Sequence, residues 1–448
     1  MKTDKYRRLL SCCPSLLDAA DKTANDKNGA LQNNIPAQVT AYVTAPVLFC
    51  YVCYILDSVK KNNINRIFFL SRDGYILKQI ADIIIERKKL KIQTSYLYVS
   101  RYSLRNALYY KCETAEDFEN AGLFTGYTLK SAKNFLKRAG LNDCQRIEVY
   151  KEIGFSDDEN KDLSDSEYSA FCEKIKNDPA LLCKIKNNSE NNYHNIMKYF
   201  EQSGLFEKGK IAVVDSGWMG TVQKTLTALV NGRTDENIIG YYFGLYRRED
   251  DNYKAFLFDV TDAYKYVPTF CNNLFECFCS APHGMTTGYR ECDGKIIPVL
   301  SDANAEMVKM AEIQTKTAVR FTEYACKNEN YIPICKMRDI SAGLLKALMY
   351  KPDKQEAEIL GAFPFSDDVT EAKIQHLAGN CKGSISNILL PVRIIRKKKG
   401  KSIYPDKYIY WLYGSIVLTG CKPAWVYRLS VREWERLRLL RERRKLCR

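Results

Sequence analysis

Residues 66 to 80 read RIFFLSRDGYILKQI. The run RIFFL is short, apolar and unbroken, the pattern of a strand buried on both faces. It stops at Ser71-Arg72-Asp73-Gly74. YILKQIADIIIERKK then carries helical spacing and a basic end, as a helix C-terminus prefers. A second strand pattern, SYLYVSRYSL, follows and closes at Ser100-Arg101. Strand, helix and strand in one short stretch predict a parallel pair. Strand ends that feed helix starts are where α/β proteins hold ligands. An arginine beside an aspartate at such a point raises the question of which ligand.

Composition narrows the answer. The chain has 448 residues, a net charge of +15 and 46% hydrophobic residues, enough for one large domain or two with cores of their own. Its aromatic content, with 30 Tyr, excludes a disordered chain. The basic balance favours an anionic partner: a phosphorylated substrate, nucleic acid or an acidic lipid surface. No RNP, zinc-finger or helix-turn-helix signature is present, so nucleic acid is not expected. The 17 Cys are odd in number and scattered, and MKTDKYRRLLSCCPSLLDAA is too polar for a signal peptide. Reduced thiols in a cytoplasmic chain are expected. Cys50 and Cys53 form a C-x-x-C inside the apolar APVLFCYVCYIL, with no second pair at zinc spacing, and read as buried thiols. That segment falls short of a membrane span and reads as a core helix.

Along the chain, residues 1 to 38 are polar and weakly patterned, a loose lead-in. Residues 39 to 300 are expected to form an α/β domain around a central, mainly parallel sheet. Residues 113 to 205, charged and Asn-rich, read as a helical subdomain inserted into it. KIAVVDSGWMGTVQKTLTALV returns to strand, turn and helix, and IIGYYFGLY is another strand. Residues 301 to 448 form a helical C-terminal region, with RIIRKKKGKSIYP as an exposed basic stretch. The tail LSVREWERLRLLRERRKLCR is a basic helix with Val431, Trp434 and Leu437 spaced along one face. Such a helix either lies on an acidic membrane surface or packs by its apolar stripe.

Four stretches carry chemistry. In VVDSGWMGTVQ a strand ends at Asp215, and Ser216, Gly217, Trp218, Met219, Gly220 and Thr221 lead into a helix. The helix start favours a phosphate, the hydroxyls can donate to it, and Asp215 can accept from a sugar hydroxyl or help hold Mg²⁺. Neither G-K-[ST] nor G-x-G-x-x-G is present, and an ordinary strand-to-helix turn is the competing reading. FLSRDGYIL resembles the D-x-D-G-T motif of haloacid-dehalogenase phosphatases. Ser71 occupies the nucleophile position and cannot form an aspartyl phosphate, which excludes that activity. An anion site remains, with Arg72 as donor, Asp73 as acceptor or base and Gly74 opening the helix; a surface Arg-Asp pair is the alternative. In YVSRYSLR, Arg101 is expected at the same sheet edge as Arg72, and two guanidiniums suit a diphosphate. In NNLFECFCSAPHGMTTGY, Glu276 sits among apolar residues, where a carboxylate can serve as a base, and His283 precedes Gly284. A helix-surface carboxylate and a loop hydrogen bond are the alternatives there.

FFLSRDGYILKQI, YLYVSRYSLR, VVDSGWMGTVQKTL, YYFGLY and NNLFECFCSAPHGMTTGY follow one another in the order seen in a family. Together, over roughly residues 40 to 300, they resemble the region after the phosphatase domain in large bacterial proteins classed as haloacid-dehalogenase-like hydrolases, encoded in capsule and O-antigen gene clusters. That region is similar to a glycan phosphoribosyltransferase, which moves ribose 5-phosphate from phosphoribosyl diphosphate to a sugar hydroxyl. The resemblance implies a phosphoribosyltransferase-like sheet, with Ser71 to Gly74, Ser100 and Arg101 on the diphosphate. It implies that residues 215 to 221 hold the 5-phosphate and that Mg²⁺ takes part. Asp73 is the first choice of base and Glu276 the second, with His283, Gly284 and Tyr289 at the acceptor or its loop. Partners would be a lipid-linked or growing glycan acceptor and a separate phosphatase that removes the 5-phosphate. The setting is cytoplasmic, either free or peripheral at the inner face of the cell membrane through the basic C-terminal helix. In that fold two adjacent acids precede T-G-x-T; here Asp215-Ser216 and Gly220-Thr221 stand instead, with one acid gone and the turn shortened. Two other readings stand beside this one: a transferase for another phosphosugar or a nucleotide-sugar, and a non-catalytic assembly module of polysaccharide machinery.

Overall fold

The computed structural model describes residues 2–26, 34–124, 130–153, 159–234, 237–327, 332–366, 374–407 and 409–446. RIFFL forms strand β1 (Arg66–Leu70), buried throughout. Its alternate side chains enter two different cores: Ile67 and Phe69 face one layer of helices, Phe68 and Leu70 the other. β2 (Gln93–Leu97), β3 (Ile211–Trp218), β4 (Ile239–Leu245) and β5 (Tyr253–Phe258) complete a five-stranded sheet in the order β2-β1-β3-β4-β5. Every pairing in it is parallel. The protein is therefore α/β with a central parallel sheet between helical layers, as expected.

That strand order decides where a ligand can sit. The chain moves from β1 outward to β2, then crosses back to β3 and continues to the opposite edge. The loops leaving β1 and β3 therefore run in opposite directions, and a crevice opens between them at the C-terminal ends of the strands. The helix Gly74–Lys88, which leaves β1, starts tight against the strand. A Cβ at Gly74 would lie 2.7 Å from the Phe69 carbonyl carbon, so only glycine fits there.

The described residues between 113 and 205 are helical, from Ala115–Asn120 to Pro179–Gln202, and lie between β2 and β3 in the chain. These helices enclose a separate core around Phe118, Phe135, Phe171 and Ile185. The last of them, Pro179–Gln202, also packs on the antiparallel hairpin β6 (Thr286–Cys292) and β7 (Lys295–Leu300). The helical run Ile35–Lys61 is long and apolar enough to cross a membrane, yet 89% of its most apolar window is buried in the protein. It serves as the core helix expected over Ala45 to Lys61.

Five expectations need correction. Of the expected loose lead-in over residues 1 to 38, residues 2 to 26 are not loose: helices Asp4–Leu10 and Pro14–Ala24 bury Tyr6, Leu10 and Leu16 in the main core, while residues 27 to 33 lie outside the described residues. Their apolar residues are few but fall on one face, which suffices once a partner surface exists. β2 ends at Leu97, before Ser100, and β3 continues past Asp215 to Trp218. RIIRKKKGKSIYP is not exposed throughout: Arg393, in the helix Leu390–Lys398, is fully buried beneath Tyr404 and Trp434. In the tail helix Ala424–Leu446, Val431 is buried but Leu437 is 45% exposed. At about 100° per residue, six positions carry Leu437 well off the face of Val431.

Candidate functional site

A cleft of about 680 Å³ lies where the switch in strand order predicts, over the C-terminal ends of β1, β2 and β3. Ser71, Arg72 and Asp73 after β1, Ser100 and Arg101 after β2, Asp215 to Trp218 of β3 and Met219 beyond it all line it. Thr221 opens the helix Thr221–Val230 against it, and Glu276 and His283 close the far wall. Gly74, Gly220, Gly284 and Tyr289 lie outside the lining. Tyr289 is buried behind it, its hydroxyl donating to the Tyr98 carbonyl at 2.7 Å.

Two hydroxyls named from the sequence serve the scaffold. Ser71 Oγ donates to the Val99 carbonyl at 2.6 Å and accepts from the Val99 N–H at 3.0 Å, tying the ends of β1 and β2 together. Ser100 caps the helix Arg101–Leu108 through a reciprocal pair with Ser103. Its Oγ also donates to the Thr286 carbonyl at 2.6 Å, which holds the β6 hairpin to the cleft. Capping leaves Arg101 at the first helical position, exposed at the cleft wall.

The floor of the cleft is acidic. Asp73 follows β1 and Asp215 lies in its neighbour β3, and Ser216 links them: its Oγ donates to Asp73 Oδ2 while its N–H donates to Asp215 Oδ1 at 2.9 Å. Tyr51 Oη donates to the Asp215 carbonyl at 2.8 Å and anchors this end of β3 from below. Burial raises Asp73 above the ordinary carboxylate range, opposed by the Ser216 hydroxyl and then by the charges of Arg72 and Arg101. Asp215 is raised further, by burial first and then by the charge of Asp73, with Glu276 adding to the effect. The two carboxyls resist sharing full negative charge, and a cation or a proton between them relieves that. Glu276 is fixed by Trp218, whose indole N–H donates to its Oε1 at 2.6 Å. Trp218 is in turn wedged against Phe258, Phe270 and Phe275. Gly217 makes that strand end possible, because its φ is +132° and a Cβ there would lie 2.1 Å from the Gly244 carbonyl oxygen.

His283 joins an aromatic group with Tyr75, Tyr96 and Tyr98. One ring nitrogen bonds the Gly284 carbonyl at 2.8 Å, so that nitrogen carries the proton and the other accepts from Tyr96 Oη at 2.8 Å. Burial lowers its pKa, and the Arg72 charge lowers it further. Among the described residues, no group of three or more His, Cys, Asp or Glu side chains is arranged to hold a metal ion.

Arg105 and Thr286 are among the lining residues that the sequence reading does not single out. Arg105 stands one helical turn beyond Arg101 and shares its face; the spacing within RYSLR carries that signal. Thr286, at the start of β6, is 1% exposed and its Oγ1 has no hydrogen-bond partner. Nothing in TTGY marks it.

The chain matches no protein-family model, and a search of curated proteins finds no match to it.

Proposed function

We propose that the protein is a glycosyltransferase of phosphoribosyltransferase-like type, moving ribose 5-phosphate from phosphoribosyl diphosphate to a hydroxyl of a surface-polysaccharide acceptor. The observation that carries this reading is the meeting, in one cleft at the switch in strand order, of Arg72 and Arg101 with the linked carboxyls of Asp73 and Asp215. Cationic forks on one wall and sugar-hydroxyl acceptors on the floor are what a phosphorylated sugar with a diphosphate leaving group requires.

In the reaction the bond from the ribosyl anomeric carbon to the diphosphate oxygen breaks, and its electron pair leaves with the diphosphate. A new bond forms from that carbon to the acceptor oxygen, whose proton passes to Asp73. Arg72 and Arg101 stabilise the charge that gathers on the leaving group. The raised pKa of Asp73 brings its basicity closer to what proton abstraction needs near neutral pH. Glu276, held by Trp218, is the second candidate for that role. Because Ser216 is engaged with Asp73, the 5-phosphate falls to Thr221 and the start of its helix.

Mg²⁺ takes one or two protein carboxylates and completes its shell with substrate phosphates and water. Asp215, which lines the cleft floor, would supply that protein carboxylate, with Asp73 kept for the proton. When bound, the ion would neutralise charge on the diphosphate. A separate phosphatase would then act on the 5-phosphate of the product. Labelled phosphoribosyl diphosphate incubated with the chain and a glycan acceptor tests the reading: label transfer with diphosphate release is expected. Absence of donor binding, together with no release with any acceptor, would sink it.

A further inference from the structure

A cavity of about 550 Å³ lies apart from the reaction cleft and shares no lining residue with it. Three stretches far apart in the chain build most of it: residues 264–270, the helix Ile334–Met349 and the tail helix Ala424–Leu446. Each brings cations. Lys265, Lys346, Arg432 and Arg436 line the cavity against a single carboxylate, Glu433. Glu433 is already engaged, by Arg432 at 2.7 Å and by Arg436 at 3.4 Å. Asp262, the acid nearest Lys265 in the chain, pairs with Arg338. Lys265 and Lys346 are exposed and, among the described residues, form no ion pair. Like charges gathered from three elements repel one another, and an anion among them removes that cost. Leu257, Phe270 and Leu345 add apolar walls, and low-dielectric walls around charges of one sign focus the field on a counter-ion. The volume suits a small molecule better than a single ion.

We propose that this cavity is a second anion site, which takes a soluble phosphorylated small molecule carrying two or more negative charges. Lys265 and Lys346 are its free donors. A lysine ammonium carries three rotatable donors on a flexible stem and adapts to a phosphate from several directions. The site stands independently of the transferase reading, which concerns the other cleft. A phosphorylated lipid headgroup offers the same chemistry, and the experiment separates the two sources.

The test titrates inorganic diphosphate into the full chain and counts the sites by calorimetry. Two are expected, because the reaction cleft takes diphosphate as well. Arg101→Met is expected to weaken the first and spare the second. Lys265→Gln combined with Lys346→Gln is expected to weaken the second at least about tenfold and spare the first, as loss of charge-assisted bonds does. Both lysines are exposed, so the melting temperature should hold. Lys346→Glu, which reverses one charge, is expected to act like the double variant. Lys60→Gln combined with Lys91→Gln removes the same charge from exposed positions elsewhere and is expected to change neither site. No diphosphate site that responds to Lys265 and Lys346 overturns the proposal, as does an equal loss in the Lys60 and Lys91 variant. Vesicles of phosphatidylglycerol form the second arm: if the lysine variants weaken vesicle binding and leave diphosphate binding unchanged, the cavity belongs to a lipid headgroup and the soluble ligand is excluded. A single site that responds to the two lysines and not to Arg101→Met counts against the transferase reading and supports this one.

Discussion

Arginine does different work at the two ends of this molecule. Arg101 stands at a strand-to-helix turn, exposed in a cleft, and its charge reaches Asp73 and Asp215. Arg393 comes from a dense basic run and is fully buried, sandwiched by Tyr404 and Trp434, with two of its nitrogens unbonded. Among the described residues no carboxylate forms an ion pair with it, and burial lowers its pKa. The arginine after β2 lines an open cleft, whereas the one in the basic run fills a space. Local charge density in a sequence is thus a poor guide to exposure.

Substitution can break that contrast. Arg101→Met should lower ribosyl transfer by about 100-fold or more, as loss of a transition-state donor does, with little change in melting temperature. Arg393→Ala should cost about 2–4 kcal/mol in denaturant unfolding through lost packing, and Arg393→Met should recover most of it, since shape rather than an ion pair is at stake. Recovery of transfer by methionine at position 101, or failure of methionine to recover stability at 393, would erase the distinction. The carboxyl pair gives a smaller effect that depends on pH. Asp73 and Asp215 hold their protons above the unfolded value, so their contribution to stability is full below about pH 4 and is lost as pH rises through their folded values. Asp215→Asn should therefore raise the melting temperature at pH 8 and not at pH 4, each pH unit of that window being worth up to about 1.4 kcal/mol. Thr286→Val should leave stability within about 1 kcal/mol or raise it, because its hydroxyl is buried without a partner, while weakening substrate binding if that hydroxyl turns toward a ligand. Leu437→Ala, on the exposed side of the tail helix, should change stability by less than about 0.5 kcal/mol.

The parts that were legible in the sequence are those set by local pattern. RIFFL carries the pattern of a strand buried on both sides, which it forms, and the helix after it needs a glycine to start so close to Phe69. Ser71, Arg72, Asp73, Arg101 and Asp215 were found because each lies at the end of an apolar run, and parallel pairing then brings those ends to one edge. The rest depends on long-range contacts that no window of sequence contains. Ser216 meets Asp73 from the far side of the helical insertion and so became a brace between two acids instead of a phosphate donor. Trp218 was read as part of a turn, yet the strand carries on and aims its indole at Glu276. The first helices looked loose because their apolar residues are sparse, and only the core they cover explains them.

Titration of phosphoribosyl diphosphate into the chain, with and without Mg²⁺, tests the central claim most directly. Binding is predicted to be strengthened by Mg²⁺, weakened at least about tenfold by Arg101→Met, and unaffected by Arg393→Met. No binding in the unaltered chain, or equal binding by both variants, would contradict it.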